Sequence, residues 1–284
     1  MNVVRDARWP SAELPGPLTA RPGISHVLFD FDGTLSLIRQ GWPEVMVGMF
    51  VEMLPRLPSD TDASLNKLVL DDIMRLNGKQ TIYQMIQLAE RITERGGSPQ
   101  EPLWYKHEYL RRLELKIADR TSGIADGSIS RNEYLVHAAG PFLDHLKSRG
   151  LTLYLASGTD EYAVRREAEL LGLTNFFGPH IYGAQDDYAK FSKKMVIDRI
   201  LKENEISGAH LLSFGDGYVE IQNTHEVGGF AVAMATDEAA NGSGNIDRWK
   251  RERLLGVGAD IVLPDYRDAI ALVDFLLGDR ADCP

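Results

Sequence analysis

Cysteine is almost absent. Among 284 residues there is one, Cys283, next to the C-terminus. A lone thiol excludes an internal disulfide framework or a cysteine zinc site, and one at the chain end is expected to be inert. Net positive charge is missing too: 31 Lys and Arg stand against 41 Asp and Glu, a formal charge of −10. An acidic chain is a poor partner for DNA, RNA or anionic lipid, so any phosphate it binds must sit in a local pocket rather than on a broad basic face. Nowhere do about 18 apolar residues run together, so no membrane span is expected. The first 21 residues are broken by Pro10, Pro15 and Pro17 and lack the apolar core of a signal peptide. There is no Walker-type glycine loop, and no pair of histidines has metal-site spacing. A cytoplasmic location fits these limits.

What is present is ordinary for a globular chain, with 44% hydrophobic and 25% charged residues. The length suggests one large domain plus a smaller unit. Residues 1–23 read as an extended N-terminal arm. His26 to Asp32 is a short apolar run ending in acids and Gly33, the pattern of a buried strand that delivers carboxylates at its end. From about 41 to 138 the period becomes helical: Val47, Phe50, Val51 and Leu54 form one stripe, and Leu65, Leu68, Val69, Ile73 and Leu76 another. Ile82, Met85, Ile86 and Ala89 form a third, and Leu110, Leu113 and Ile117 a fourth. Asn77-Gly78 and Gly96-Gly97 read as helix ends.

Beyond residue 139 strands and helices alternate. Pro141 suits a helix N1 position and Gly150 the end of that helix. Leu151–Ala156, Leu211–Phe214, Phe230–Ala235 and Ile261–Leu263 read as strands. Thr159 or Asp160 can cap the helix carrying Val164, Ala168 and Leu171, and Val196, Ile197, Ile200 and Leu201 mark another. Such alternation builds a parallel sheet with helices on both faces. The expected fold is α/β: a Rossmann-like three-layer core from 24–40 and 139–284, with an inserted all-helical cap over 41–138.

Four segments fall where strands of such a sheet end, the edge at which ligands bind in open α/β folds. In Asp30-Phe31-Asp32-Gly33-Thr34-Leu35, strand alternation points both acids to one face. Two such acids can divide labour, one as nucleophile and one as acid/base. In Leu155-Ala156-Ser157-Gly158-Thr159, a hydroxyl and free amides before a helix suit a phosphate oxygen. Within 190–194, a lysine at a helix start can neutralise phosphate charge. Lys193 is favoured, because Val196 and Ile197 follow at the spacing of a buried stripe; Lys190 and Lys194 remain open. In Phe214-Gly215-Asp216-Gly217-Tyr218-Val219-Glu220, the two acids offer hard oxygens for Mg²⁺.

In this order the segments resemble the motifs of the haloacid dehalogenase superfamily of phosphohydrolases, over about residues 24–277, with the helical block similar to that superfamily's C1 cap. The resemblance, nearest to phosphoglycolate phosphatases and β-phosphoglucomutases, implies that Asp30 attacks phosphorus and forms an aspartyl phosphate. It implies that Asp32 protonates the leaving oxygen and then activates water, and that Ser157 and the Gly158 amide hold the phosphoryl group. Lys193 would offset negative charge. Asp30, the Asp32 backbone carbonyl and Asp216 would bind Mg²⁺, with Glu220 acting directly or through water. Many relatives carry Asp where Glu220 stands.

The cap of that superfamily supplies specificity. Arg39 is the expected contact for a second polar or anionic group of the substrate. Gly78-Lys79-Gln80-Thr81 reads as a cap-helix start that brings Lys79 and, further on, Gln84 to the ligand. Trp104, Tyr105 and Tyr109 read as cap packing. The function expected is Mg²⁺-dependent hydrolysis of a small phosphorylated metabolite, possibly a sugar phosphate. The rivals are a phosphomutase of the same architecture and a non-catalytic phosphate-binding protein. Nucleic acid and membrane are not expected partners.

Overall fold

The computed structural model describes residues 3–278, so Cys283 lies outside the described residues. The chain opens with β1 (Val4–Asp6) and β2 (Trp9–Leu14), then β3 (His26–Phe29), whose four residues are all buried. Four helices follow: α1 (Trp42–Met53), α2 (Asp62–Arg75), α3 (Ile82–Glu94) and α4 (Pro102–Asp126). The remainder alternates: α5 (Ala139–Ser148), β4 (Thr152–Asp160), α6 (Glu161–Leu170), the single turn α7 (Thr174–Phe177), β5 (Ile181–Ala184), α8 (Lys193–Glu203) and β6 (Leu211–Gly215). Last come α9 (Tyr218–Glu226), β7 (Phe230–Met234), α10 (Arg248–Leu255), β8 (Ile261–Leu263) and α11 (Ala269–Leu276).

The strands form one sheet in the order β1-β2-β8-β7-β6-β3-β4-β5. β3 lies between β4 and β6, parallel to both. Its C-terminal end therefore meets theirs at one edge, and the first, second and fourth motif segments start there. Phe29 stacks on Phe214 of β6 at 5.0 Å, with Phe142 and Tyr266 against them. Each such ring contributes about 1.5–3 kcal/mol by leaving water. This cluster fixes the strand ends that carry the acids. The helical cap is inserted between β3 and α5, as expected from the 3.6-residue period. α2 opens on a Thr61–Ser64 capping box, and α3 buries Ile82, Met85, Leu88 and Ile92. Among the described residues no helix is long and apolar enough to cross a membrane.

Several expectations are corrected. The arm of residues 1–23 is not simply extended: β1 and β2 pair antiparallel, and β2 joins the sheet beside β8. Trp9, Ala12 and Leu14 are buried, and Trp9 meets Phe275 edge-on at 5.1 Å. Pro10 sits near the start of β2, ahead of the Glu13–Val262 pair that joins β2 to β8, where its missing N–H costs no bond to that neighbour. Helix α5 starts at Ala139, placing Pro141 in its third position rather than its first. Strand β3 ends at Phe29, one residue before Asp30, and β4 runs on to Asp160, so Ser157 sits inside the strand rather than in a turn before a helix.

Candidate active site

The loop after β3 is sewn to the loop after β6. The Asp30 amide donates to the Phe214 carbonyl (2.9 Å), the Asp216 amide donates to Thr34 Oγ1 (3.0 Å), and the Tyr266 hydroxyl donates to the Thr34 carbonyl (3.0 Å). Gly33 makes the turn at φ 71°. A Cβ there would lie 2.3 Å from Asp216 Oδ2, so only glycine lets the two acidic loops approach this closely.

Lys193, at the first position of α8, is buried and reaches Asp30 Oδ1 and Glu220 Oε2, both at 2.8 Å. Its helix is capped by Ser192, whose hydroxyl accepts from the Met195 amide. Lys190 and Lys194 are exposed and pair with Asp187 and Asp198 instead. Burial pulls the Lys193 ammonium down, but Asp30 and Glu220 more than reverse it and hold it charged. Glu220 has both oxygens engaged, Oε1 by the Gly217 amide at 2.7 Å and Oε2 by Lys193.

Asp32 Oδ2 accepts from Thr159 Oγ1 (2.9 Å) and Ser157 Oγ (3.3 Å). Its Oδ1 is buried without a hydrogen-bond partner, with Arg39 Nε at 3.6 Å. Burial raises the Asp32 carboxyl to about 6, against the pull of Arg39. Burial likewise pushes the Asp30 carboxyl well above the ordinary range despite Lys193, with Glu220 and Asp216 adding to the rise. One carboxylate oxygen from each of Asp30, Asp216 and Glu220 lies within 4.8 Å of the others. Three hard oxygens so placed fit the donor set that Mg²⁺ takes. Asp216 Oδ2 also receives the buried Lys250 ammonium (2.9 Å), which Glu238 shares at 2.6 Å.

Asp30, Asp32, Ser157, Gly158, Lys193 and Asp216 line one cavity of about 80 Å³, which the cap residues Lys79, Thr81, Gln84 and Tyr109 also line. Glu220 stands just behind it through Lys193. Three glycines let the cap loop descend. The Lys79 carbonyl lies where a Gly158 Cβ would be 2.6 Å away, and Gly78 touches Gly217 backbone to backbone. Gln80 donates to the Phe191 and Tyr188 carbonyls, and Arg253 of α10 donates to the carbonyls of Met74, Arg75 and Asn77 at the end of α2. Cap helix α4 adds a buried ion pair from Lys106 to Asp160 (2.6 Å).

The substrate-side expectations hold less well. Arg39 does line the cavity, yet Glu167 takes its Nε at 3.0 Å and its Nη2 at 2.7 Å, so it is not a free anion receptor. Lys79 lines the cavity too, from the turn before α3 rather than from a helix, and its ammonium rests 5.3 Å above the Tyr83 ring. Gln84 lines the cavity while its amide donates to the Ile73 carbonyl (3.1 Å). Sequence reasoning missed Tyr109, which faces the cavity instead of only packing the cap, and also Thr159, Glu167, Glu238 and Lys250. Thr159 was within reach: two positions after Ser157 on a strand, it must share that residue's face.

Similarity to known proteins agrees with this geometry. The family model for haloacid dehalogenase-like hydrolase matches residues 24–223. A family IA haloacid dehalogenase hydrolase from Entamoeba histolytica superposes with TM-score 0.59 at 18% identity, covering 89% of this chain and 99% of its own. A predicted phosphoglycolate phosphatase from Haemophilus somnus gives 0.57 at 14%, covering 88% and 98%. A β-phosphoglucomutase from Clostridium difficile gives 0.53 at 14%, covering 82% and 98%. No curated protein matches the sequence. With the family model spanning every motif segment from Asp30 to Glu220, the chain belongs to the haloacid dehalogenase-like hydrolases.

Proposed function

We propose that this chain is a Mg²⁺-dependent phosphatase acting on a small phosphomonoester, with Asp30 as nucleophile and residues 41–138 as the unit that closes over the substrate. The observation that carries the reading is the opposed state of the two acids. Asp30 Oδ1 is fixed by Lys193 at 2.8 Å, whereas Asp32 Oδ1 is buried and unpartnered. A carboxylate held beside a fixed cation is oriented for attack; one with a free oxygen and a carboxyl near pH 6 can give and then take a proton.

In the first step an Asp30 oxygen forms a bond to phosphorus while the ester oxygen leaves with the Asp32 proton. In the second, Asp32 takes a proton from water as that water attacks the aspartyl phosphate, releasing inorganic phosphate and restoring Asp30. Lys193 offsets negative charge on Asp30 and the phosphoryl group, and Ser157 with the Gly158 amide holds phosphoryl oxygens. Asp30, Asp216 and the Asp32 carbonyl would hold Mg²⁺, with Glu220 behind them. When bound, the ion supplies charge neutralisation that keeps Asp30 ionised and shields it from the incoming phosphate.

Transfer to a second sugar hydroxyl instead of water shares the first step. The test is a panel of phosphorylated metabolites with Mg²⁺, comparing wild type with Asp30→Asn. Turnover by wild type and loss of at least about 10³-fold in the variant is the expected result; equal turnover by both on every active compound refutes the reading.

A further inference from the structure

The cavity's cap-side wall takes part in choosing the substrate, and its charge is unusual. Beside Arg39 it carries Trp42, Met46, Asn77, Lys79, Thr81, Gln84 and Tyr109. Arg39 is the buried cation of this wall, and its charge is already paired. Glu167 of α6 lies 128 positions away in sequence, is fully buried, and takes Arg39 in a forked pair through Nε and Nη2. A buried carboxylate with no exposed surface has no role toward solvent; here its partner is the cavity's arginine. Lys79 also lines the cavity, but its ammonium rests 5.3 Å over the ring of Tyr83, which is not part of the wall. With the Lys79 ammonium drawn over Tyr83, the other side chains of the wall are neutral: a phenol, two amides, a threonine, an indole and a thioether.

Resting on the phosphatase reading, we infer that Glu167 cancels Arg39 and restricts the substrate to a hydroxylated phosphomonoester whose only anionic group is its phosphate. A second anion, such as a carboxylate two or three atoms from the phosphate, would meet an arginine already neutralised by Glu167. It would lose its hydration without gaining a partner. A hydroxyl in the same place can exchange hydrogen bonds with the Tyr109 phenol or the Gln84 amide. Arg39 thereby becomes a positioning residue, holding the wall and the field around Asp32, rather than a substrate receptor.

The test is a matched pair that differs only at the far end: glycerol phosphate, ending in CH₂OH, and phosphoglycerate, ending in a carboxylate. Phosphoglycolate and p-nitrophenyl phosphate complete the set. Wild type should show kcat/KM at least about tenfold higher for glycerol phosphate than for phosphoglycerate, with the difference mainly in KM. Glu167→Gln frees the arginine charge and should pull that ratio toward one by lowering KM for phosphoglycerate. Any effect of the variant on Asp32 falls on both compounds and cancels in the ratio. Equal or better turnover of the carboxylated compounds by wild type overturns the inference and leaves the phosphatase reading standing. A ratio unchanged in folded Glu167→Gln also overturns it. If the variant does not fold, the wild-type ratio alone decides. Turnover of none of the four compounds, with Mg²⁺ present, removes the phosphatase reading and this inference together.

Discussion

Replacing Gly158 by alanine perturbs the site by one methyl group, and its consequence can be worked from distances. The added Cβ would stand 2.6 Å from the Lys79 carbonyl oxygen and 3.1 Å from its carbon, both backbone atoms of the cap loop. Ordinary contact begins at 3.4 Å, so the loop must withdraw by roughly 0.8 Å. Backbone cannot swing aside as a side chain can, and Gln80, the next residue, is anchored on Phe191 at 2.6 Å. Overpacking of this kind costs about 1–3 kcal/mol. The cost falls on cap closure, because Gly158 belongs to the core strand and Lys79 to the cap. A misplacement near about 1 Å can cost on the order of 10²-fold in rate. Gly158→Ala should therefore keep its far-ultraviolet circular dichroism and lose about 10–100-fold in kcat/KM on any turned-over phosphomonoester. Wild-type kcat/KM in the folded variant would refute the closed contact as the working geometry.

Two further outcomes follow from the charged groups. Glu220→Gln removes the charge that helps hold Lys193 and one of three oxygens near the metal position, so the Mg²⁺ midpoint for thermal stabilisation should rise about 10–100-fold; an unchanged titration removes Glu220 from the metal's surroundings. His26 and His180 flank the Tyr154 ring, and burial lowers both below the ordinary 6.5. Below pH 6.5 the unfolded chain takes up these protons before the folded one, so the stability they contribute is present above 6.5 and lost as pH falls through the folded values. The raised Asp30, Asp32 and Glu220 carboxyls act in the opposite sense. The quantity to read is thus the urea midpoint of wild type against the His26→Phe, His180→Phe double variant at about pH 8 and pH 5.5. The wild type should lose more on acidification, and parallel losses would contradict the assignment.

The half of the site built from the acids and the lysine was legible because each of its residues is tied to a local pattern. Asp30 follows an apolar strand, Lys193 opens a helix stripe, and Asp216 ends a strand in Gly-Asp-Gly. The cap was legible for the same reason, since its four stripes keep the helical period. What was hidden depends on long-range pairing. Nothing near Arg39 in sequence announces Glu167, and nothing around Lys250 announces Asp216, because an ion pair leaves no period in either segment. The terminal hairpin was hidden by Pro10 and Pro15, which break the alternation, although Trp9, Ala12 and Leu14 carry the buried face. Strand β4 ran past its apolar core because Ser157 and Thr159 are polar yet turned into the cavity, where Asp32 accepts their hydroxyls.

The central claim is covalent: phosphate passes through the Asp30 carboxylate. Enzyme turning over a phosphomonoester can be quenched in acid and treated with borohydride, which reduces an aspartyl phosphate to homoserine, and the peptide spanning residue 30 read by mass spectrometry. Nucleophilic attack by Asp30 predicts homoserine at position 30 only when substrate was present, and no turnover by Asp30→Asn. Unmodified Asp30 throughout, together with an active Asp30→Asn variant, would contradict it.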